Sequence, residues 1–432
     1  MHIQFPYGSG VIEANLEWGR CLGVLDVAET AALPNVPGAL RRSLEKPVGL
    51  SSPLLDPVQP GQRVLIVVSD SFRQTCIEQL LPTLVAALNE RGVDDRDIEF
   101  LVATGTHRPP TEEELGAILG EGIFTRFSGR IACHDPHYDA RMTYVGTTSR
   151  GTRVLINKAA LEADHVIATG ATVLHYFGGF GGGRKSIVPG ISAVETISQN
   201  HSLNLHPETG ELNPDVQIGR LDGNPVAEDM LEGAQMIETL GMVNTVLNRD
   251  GAVAGVFVGE LDAAHRAAAA FALRMFGVRI TEKADVVIAS AGARKNYVQA
   301  HKALFNAYQV VKPDGRIVLA ARCEEGLGGE QFEKWIRLGS RAAIIEGLRH
   351  RSEINGQTAL STIEKAPITW FVTDLASEDV ALLKARKAAS LGDALDRVRE
   401  ELAAGGVAEP SYYVMPSAAY TVPFAGEVPQ LA

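Results

Sequence analysis

Residues 63–69 read RVLIVVS, an unbroken apolar run of the kind that fits a strand buried on both faces. A helix-like stretch, CIEQLLPTLVAALNERG, follows at 76–92. A second strand, IEFLVATG, spans 98–105, and a helix opens at TEEEL, where Thr111 and Glu114 have capping-box spacing. The run ADHVIATG, at 163–170, reads as a further strand. Strands and helices alternating in this way restrict the chain to a parallel sheet covered on its faces.

The alternation resumes later. Residues 242–248 and 252–259 read as a strand pair around Arg249, Asp250 and Gly251, and an alanine-rich helix runs to about residue 277. A second unit starts with ADVVIASAGA, continues through a helix from Tyr297, and adds the strands GRIVLAA and ITWFVTD. The expected fold class is α/β, with two α/β domains, 1–277 and 278–432, and the active site in the cleft between them. In open α/β sheets ligands bind outside the carboxyl ends of the strands.

Composition narrows the function. The 432 residues carry 40 Lys and Arg against 52 Asp and Glu, a net charge of -12, which disfavours a broad nucleic-acid surface. An anionic small molecule would need a local cationic pocket. The four cysteines are scattered without a CxxC pair, so neither a disulfide framework nor a zinc ribbon is expected, and a reducing, cytoplasmic setting is. The first residues lack the basic and apolar regions of a signal peptide, and the uncharged stretch 166–183 is too rich in glycine for a membrane span.

Three strands end in polar or glycine-containing turns: SDSFR at 69–73, TGTHR at 104–108 and TGATVLHYFGGFGGGRK at 169–185. In a parallel sheet these turns converge on one edge, bringing Asp70, Arg73, His107, Arg108, His175, Arg184 and Lys185 together. The glycine cluster allows close backbone approach to an anion, but it matches neither a dinucleotide fingerprint nor a P-loop. His107 and His175, each a few residues after a strand, have the chemistry to exchange a proton from opposite faces of a substrate near neutral pH. By position His2, His265 and His350 read as surface residues, as does His201, which follows a helix. His134, His137 and His206 show no spacing that joins them into a metal site. Gln299 and Lys302, three apart on a helix, share a face suited to gripping a carboxylate, though such pairs are usually solvated.

Taken together, SDSFR, TGTHRP, HYFGGFGGGRKSIVPG, ETISQNHS and the Gln299-Lys302 pair resemble the nickel-pincer lactate racemase family, over nearly the whole chain. The resemblance implies a nickel ion carried by a pyridinium-3,5-bisthiocarboxylate mononucleotide, the nickel pincer nucleotide, supplied by cofactor-producing enzymes. It implies that Lys185 holds this cofactor, that His201 ligates nickel, and that Asp70, Ser71, Phe72 and Arg73 contact the cofactor. By the same resemblance His107 and His175 are the acid/base pair, and Arg73, Gln299 and Lys302 bind a 2-hydroxy acid that is inverted at C2 by reversible hydride transfer. The first turn departs from the family's SDxTRP at Phe72 and Gln74, and Leu174 replaces a proline. These changes alter pocket walls, so a larger or more polar 2-hydroxy acid, sugar acids included, stands beside lactate as candidate substrate. Two other readings are a nicotinamide-dependent 2-hydroxy-acid dehydrogenase, which lacks its dinucleotide fingerprint here, and a non-catalytic cofactor-binding protein, which would need neither His107 nor His175.

Overall fold

The computed structural model describes residues 1–206, 208–209, 211–426, 428–429 and 431. It divides into two units, Glu29–Met275 and Met1–Ala28 with Phe276–Val428. No helix among the described residues is long and apolar enough to cross a membrane.

In the unit Glu29–Met275 a six-stranded sheet runs in the order Val253–Gly259, Gly241–Leu247, His165–Ala171, Val64–Ser69, Ile98–Ala103, Ile131–Cys133. All neighbours are parallel except the edge pair 241–247 and 253–259, which is antiparallel as its short turn requires. The apolar run at 64–69 lies in the interior of the sheet. Its residues divide between two cores: Val64, Ile66 and Val68 pack on one face with Leu81, Leu84 and Leu88 of the helix Leu81–Glu90. Leu65 and Val67 pack on the other with Ile187, Val226 and Met230. Burial on both faces accounts for the absence of polar alternation, and each such side chain contributes about 1.5–3 kcal/mol. The chain leaves this strand to one side, to Ile98–Ala103, and returns on the other as His165–Ala171. That reversal makes a topological switch point, and its crevice opens at the carboxyl ends of the strands.

The other unit holds a second six-stranded sheet, all parallel, in the order Arg386–Ala388, Thr369–Val372, Val311–Ala320, Ala284–Ser290, Ser411–Met415, Arg20–Val24. Its last strand corrects the division read from the sequence. Residues 1–28 belong here, because Arg20–Val24 pairs with Ser411–Met415 and because Ile3, Phe5 and Leu16 fill the core formed by Val286, Ile288, Val318 and Trp370. Pairing across some four hundred residues leaves no local trace in the sequence. The helix Tyr297–Val310 follows the strand Ala284–Ser290 and is capped at its N-terminus by the Asn296 side chain, which accepts from the Gln299 amide.

Candidate active site

Asp70 directly follows the strand ending at Ser69, and His107 follows the adjacent strand ending at Ala103. The two side chains meet: His107 Nδ1 lies 2.6 Å from Asp70 Oδ2. Asp70 is 2% exposed, and its second oxygen accepts the Phe72 amide at 3.1 Å, so both oxygens are engaged within the protein. The exposed Phe72 ring leans on the His107 imidazole with centroids 4.7 Å apart. On the same phenyl ring rests the Arg108 guanidinium, 5.4 Å from the centroid. Ser71 hydrogen-bonds Glu114. The Arg73 amide donates to the Asp70 carbonyl and closes the turn.

The third strand of the trio, His165–Ala171, runs into a two-residue ladder, Leu174–His175 against Gly179–Phe180. The turn between them folds back on the histidine: Phe177 and Gly178 both donate their amides to His175 Nδ1, each at 3.2 Å. Gly179 has φ +70° and lies so close to the Arg220 carbonyl that a Cβ would overlap it. Gly183, at φ +54°, is pressed against the His265 ring. Gly179 and Gly183 are thus demanded by close packing within the protein.

Phe177 joins the turn to the next element. Its buried ring stacks on His201 at 4.8 Å and 22°, in the last turn of the helix Val194–Ser202. His201 is buried, and its Nδ1 is 2.7 Å from the Ile197 carbonyl, an arrangement that puts the ring proton on Nδ1 and the lone pair on Nε2. Burial first, then the positive charge of Lys185 and of Arg73, push its pKa down to about 4, so it is neutral at neutral pH. A neutral, oriented imidazole is the form that binds a metal. Lys185 sits in the turn Gly183–Ser186, with its amine against Gly178. Among the described residues no group of three or more His, Cys, Asp or Glu side chains is placed to hold a metal. A metal at His201 would take its other donors from a bound group.

Gln299 and Lys302 lie in the other unit, on the exposed face of the helix Tyr297–Val310 whose opposite face buries Ala300, Ala303 and Leu304. Gln299 Oε1 accepts the Lys295 amide at 3.3 Å, which tethers it over the first turn.

Residues 7–211 match the lactate racemase N-terminal domain, and residues 280–404 match the lactate racemase C-terminal domain. The lactate racemase of Thermoanaerobacterium thermosaccharolyticum is 30% identical over 341 residues, 78% of this chain and 78% of its own. That of Lactiplantibacillus plantarum is 33% identical over 338 residues, 76% of this chain and 77% of its own. The chain belongs to the lactate racemase family. It is, accordingly, an isomerase. The apoprotein structure of the Thermoanaerobacterium enzyme superposes with a TM-score of 0.86 at 27% identity, covering 98% of this chain and 100% of that one. A Thermotoga maritima protein shares the fold, with a TM-score of 0.64 at 18% identity over 92% of this chain and all of its own.

Within this lactate racemase fold several expectations from the sequence need correction. Arg108 is clamped by Glu114 through two 2.6 Å hydrogen bonds, which also hold the Glu114 carboxyl down at a pKa of about 2. Arg184 is buried and donates to His265 Nδ1 at 2.9 Å, so it serves the interior and not a ligand. His265 is no surface residue: it is completely buried, and its Nε2 donates to the Gly181 carbonyl. His201, read by position as exposed, is buried. His134 is buried with Nε2 on the Ser192 carbonyl and Nδ1 facing the Asn157 amide, a structural arrangement. Sequence reasoning missed Asp229 altogether. This buried carboxyl accepts from Thr148 at 2.5 Å, Thr152 at 2.9 Å and Asn200 at 2.9 Å, and Asn200 precedes His201 in the same helix. A signal was present only in the pairing of ETISQNHS with a distant PVAEDM, which no local pattern connects.

Proposed function

We propose that the protein is a racemase or epimerase acting at C2 of a 2-hydroxy acid, with a nickel pincer nucleotide as cofactor. The observation that carries the proposal is the convergence, at the carboxyl ends of three adjacent strands, of the Asp70-His107 pair, His175, Lys185 and a buried, neutral His201. The donor set fits the cofactor: one imidazole nitrogen from the protein complements a group that brings sulfur donors of its own. His201 Nε2 would bind the nickel, the Lys185 amine would hold the nucleotide, and Asp70, Ser71, Phe72 and Arg73 form the turn beside it. When bound, this group supplies a hydride acceptor and donor for C2.

The chain's own residues do the rest. Arg73 binds the substrate carboxylate by charge from its guanidinium. His107 and His175 handle the hydroxyl proton, each from its own side. Phe72 gives the pocket an apolar wall against the His107 ring, where a smaller residue would leave water. Lactate is the substrate named for both relatives; because Phe72 alters the turn beside His107, a larger or more polar 2-hydroxy acid stands beside lactate as the candidate for this chain.

The test combines an isotope and a metal measurement. With C2-deuterated 2-hydroxy acids and protein produced beside the cofactor-making enzymes, the inverted product should keep most of its deuterium, with no dependence on added NAD. His201→Ala should lose nickel, and His107→Ala should keep nickel and lose racemisation. Washout of the label into solvent, or equal nickel in both variants, would refute the reading.

A further inference from the structure

Phe177 stands between two of the proposed functional histidines. Its ring centroid lies 6.3 Å from that of His175 and 4.8 Å from that of His201, and its amide donates to His175 Nδ1 at 3.2 Å. A displacement of Phe177 is therefore felt at both rings.

A residue from outside the strand-end turns holds Phe177 in place. The Asn224 NH2 group is shared among the carbonyls of Phe177 at 3.2 Å, Arg220 at 3.3 Å and Gln217 at 3.5 Å. Asn224 Oδ1 accepts the amides of Val226 and Ala227 and so caps the helix Pro225–Ala234. Carbonyls only accept and amides only donate, which fixes the orientation of this fully buried side chain. The same helix grips the element that carries His201. Asn200 Nδ2 donates to the Val226 carbonyl at 3.1 Å and to Asp229 Oδ2 at 2.9 Å, and Asn200 directly precedes His201. The His175 turn and the His201 helix thus share one support.

We infer that Asn224 is a positioning residue: through the Phe177 carbonyl it ties the His175 turn to the helix that also anchors His201, and so fixes the spacing of the two rings. This rests on the reading that His175 handles the hydroxyl proton and His201 binds nickel. Two groups that act on one carbon centre need their spacing held to within about 0.5 Å, and a site built on packed elements holds it better than one built on loops alone. Helix capping by itself does not call for asparagine. Serine and aspartate cap about as well, but a serine has no second arm for the Phe177 carbonyl, and an ionised aspartate has no N–H to offer it. A buried carbonyl that loses its donor is costly, so in Asn224→Ser the turn at 176–178 moves toward another donor while the helix stays capped.

The measurement is proton-carbon correlation on the cofactor-free full chain with 13C in the histidine rings. Spectra of His175→Gln and His201→Gln assign the two signals. The His201 ring protons should lie upfield of those of free histidine, because the face of the Phe177 ring covers them. Asn224→Ser should displace the His175 and His201 signals together, and Asn224→Asp repeats the test should the serine variant fail to fold. Leu84→Ala, in the core on the other face of the sheet, also loses stability but should leave both signals in place. In the cofactor-loaded enzyme Asn224→Ser should lower kcat by about tenfold or more with KM within about threefold, and Leu84→Ala should keep kcat within about twofold. Unmoved signals in both Asn224 variants, equal displacement in Leu84→Ala, or an unchanged kcat behind displaced signals would overturn the assignment. Displaced signals in Asn224→Ser together with full nickel content and racemisation in His201→Ala would instead overturn the functional reading and leave the tether standing.

Discussion

His265, His301 and His134 show how single residues couple this fold to pH. Burial is the main cause that lowers each, to about 3 for His265 and His301 and to about 4 for His134. The hydrogen bonds agree with a neutral ring, since His265 Nδ1 faces the Arg184 guanidinium and could not accept a proton without displacing it. In the unfolded chain the same groups titrate near 6.5, so between that value and the folded pKa the unfolded state binds more protons. Their contribution to stability is complete above about pH 6.5 and is lost as pH falls toward 4 and then 3. Thermal midpoints should accordingly drop between about pH 6.5 and about pH 5, above the range in which carboxylates titrate. A midpoint that stays level across that interval would show that these rings are not buried neutral in the native state.

Secondary-structure elements carry the next level of the design, and the helix Val194–Ser202 is the clearest case. Thr196 Oγ1 donates to the Arg153 carbonyl at 2.7 Å, and Asn200 reaches Asp229, whose carboxyl also gathers Thr148 and Thr152. Asp229→Ala would leave Asn200 and both threonines with buried, unmet donors at about 1–3 kcal/mol each, less what relaxation recovers. Urea unfolding should show a loss of at least about 2 kcal/mol, whereas Arg96→Ala, which removes an exposed guanidinium from two surface ion pairs, should stay within about 0.5 kcal/mol. Similar midpoints for the two variants would mean that the network does not anchor the helix. Legibility in the sequence divides along the same line. The buried strand at 64–69, the capping box of Thr111 and Glu114, and the helix starting at Tyr297 were readable because their causes lie within a few residues. The three strand-end turns were readable for a related reason, since a parallel sheet puts all strand ends on one edge. The ladder at His175, the burial of His201 and the interior role of Arg184 were not. Their causes are the Phe177 ring, the Arg220 carbonyl and the His265 side chain, set there by tertiary packing.

At the scale of the whole molecule, net charge and domain order both mislead when read linearly. A chain at -12 offers cations to an anion only where they escape internal pairing, and two of the five expected from the sequence, Arg108 and Arg184, are committed to Glu114 and to the interior. Arg73 and Lys185 are the ones whose field reaches His201. Domain order misleads because residues 1–28 complete the unit built from the far end of the chain. Without them Ser411–Met415 becomes an edge strand with unpaired backbone groups, and the core around Val286, Ile288 and Trp370 loses Ile3, Phe5 and Leu16. Losing three fully buried apolar side chains costs on the order of 5–10 kcal/mol, comparable to the whole stability of a domain. A fragment of residues 276–432 should therefore fail to give a cooperative thermal transition on its own, and should gain one when a peptide of residues 1–28 is added in excess. A fragment of 29–275, whose sheet is complete, should melt cooperatively without help. Circular dichroism melts of the three samples decide the matter: a cooperative transition of 276–432 at the same temperature with and without the peptide would show that the N-terminal strand is an ornament of that unit and not a part of its core.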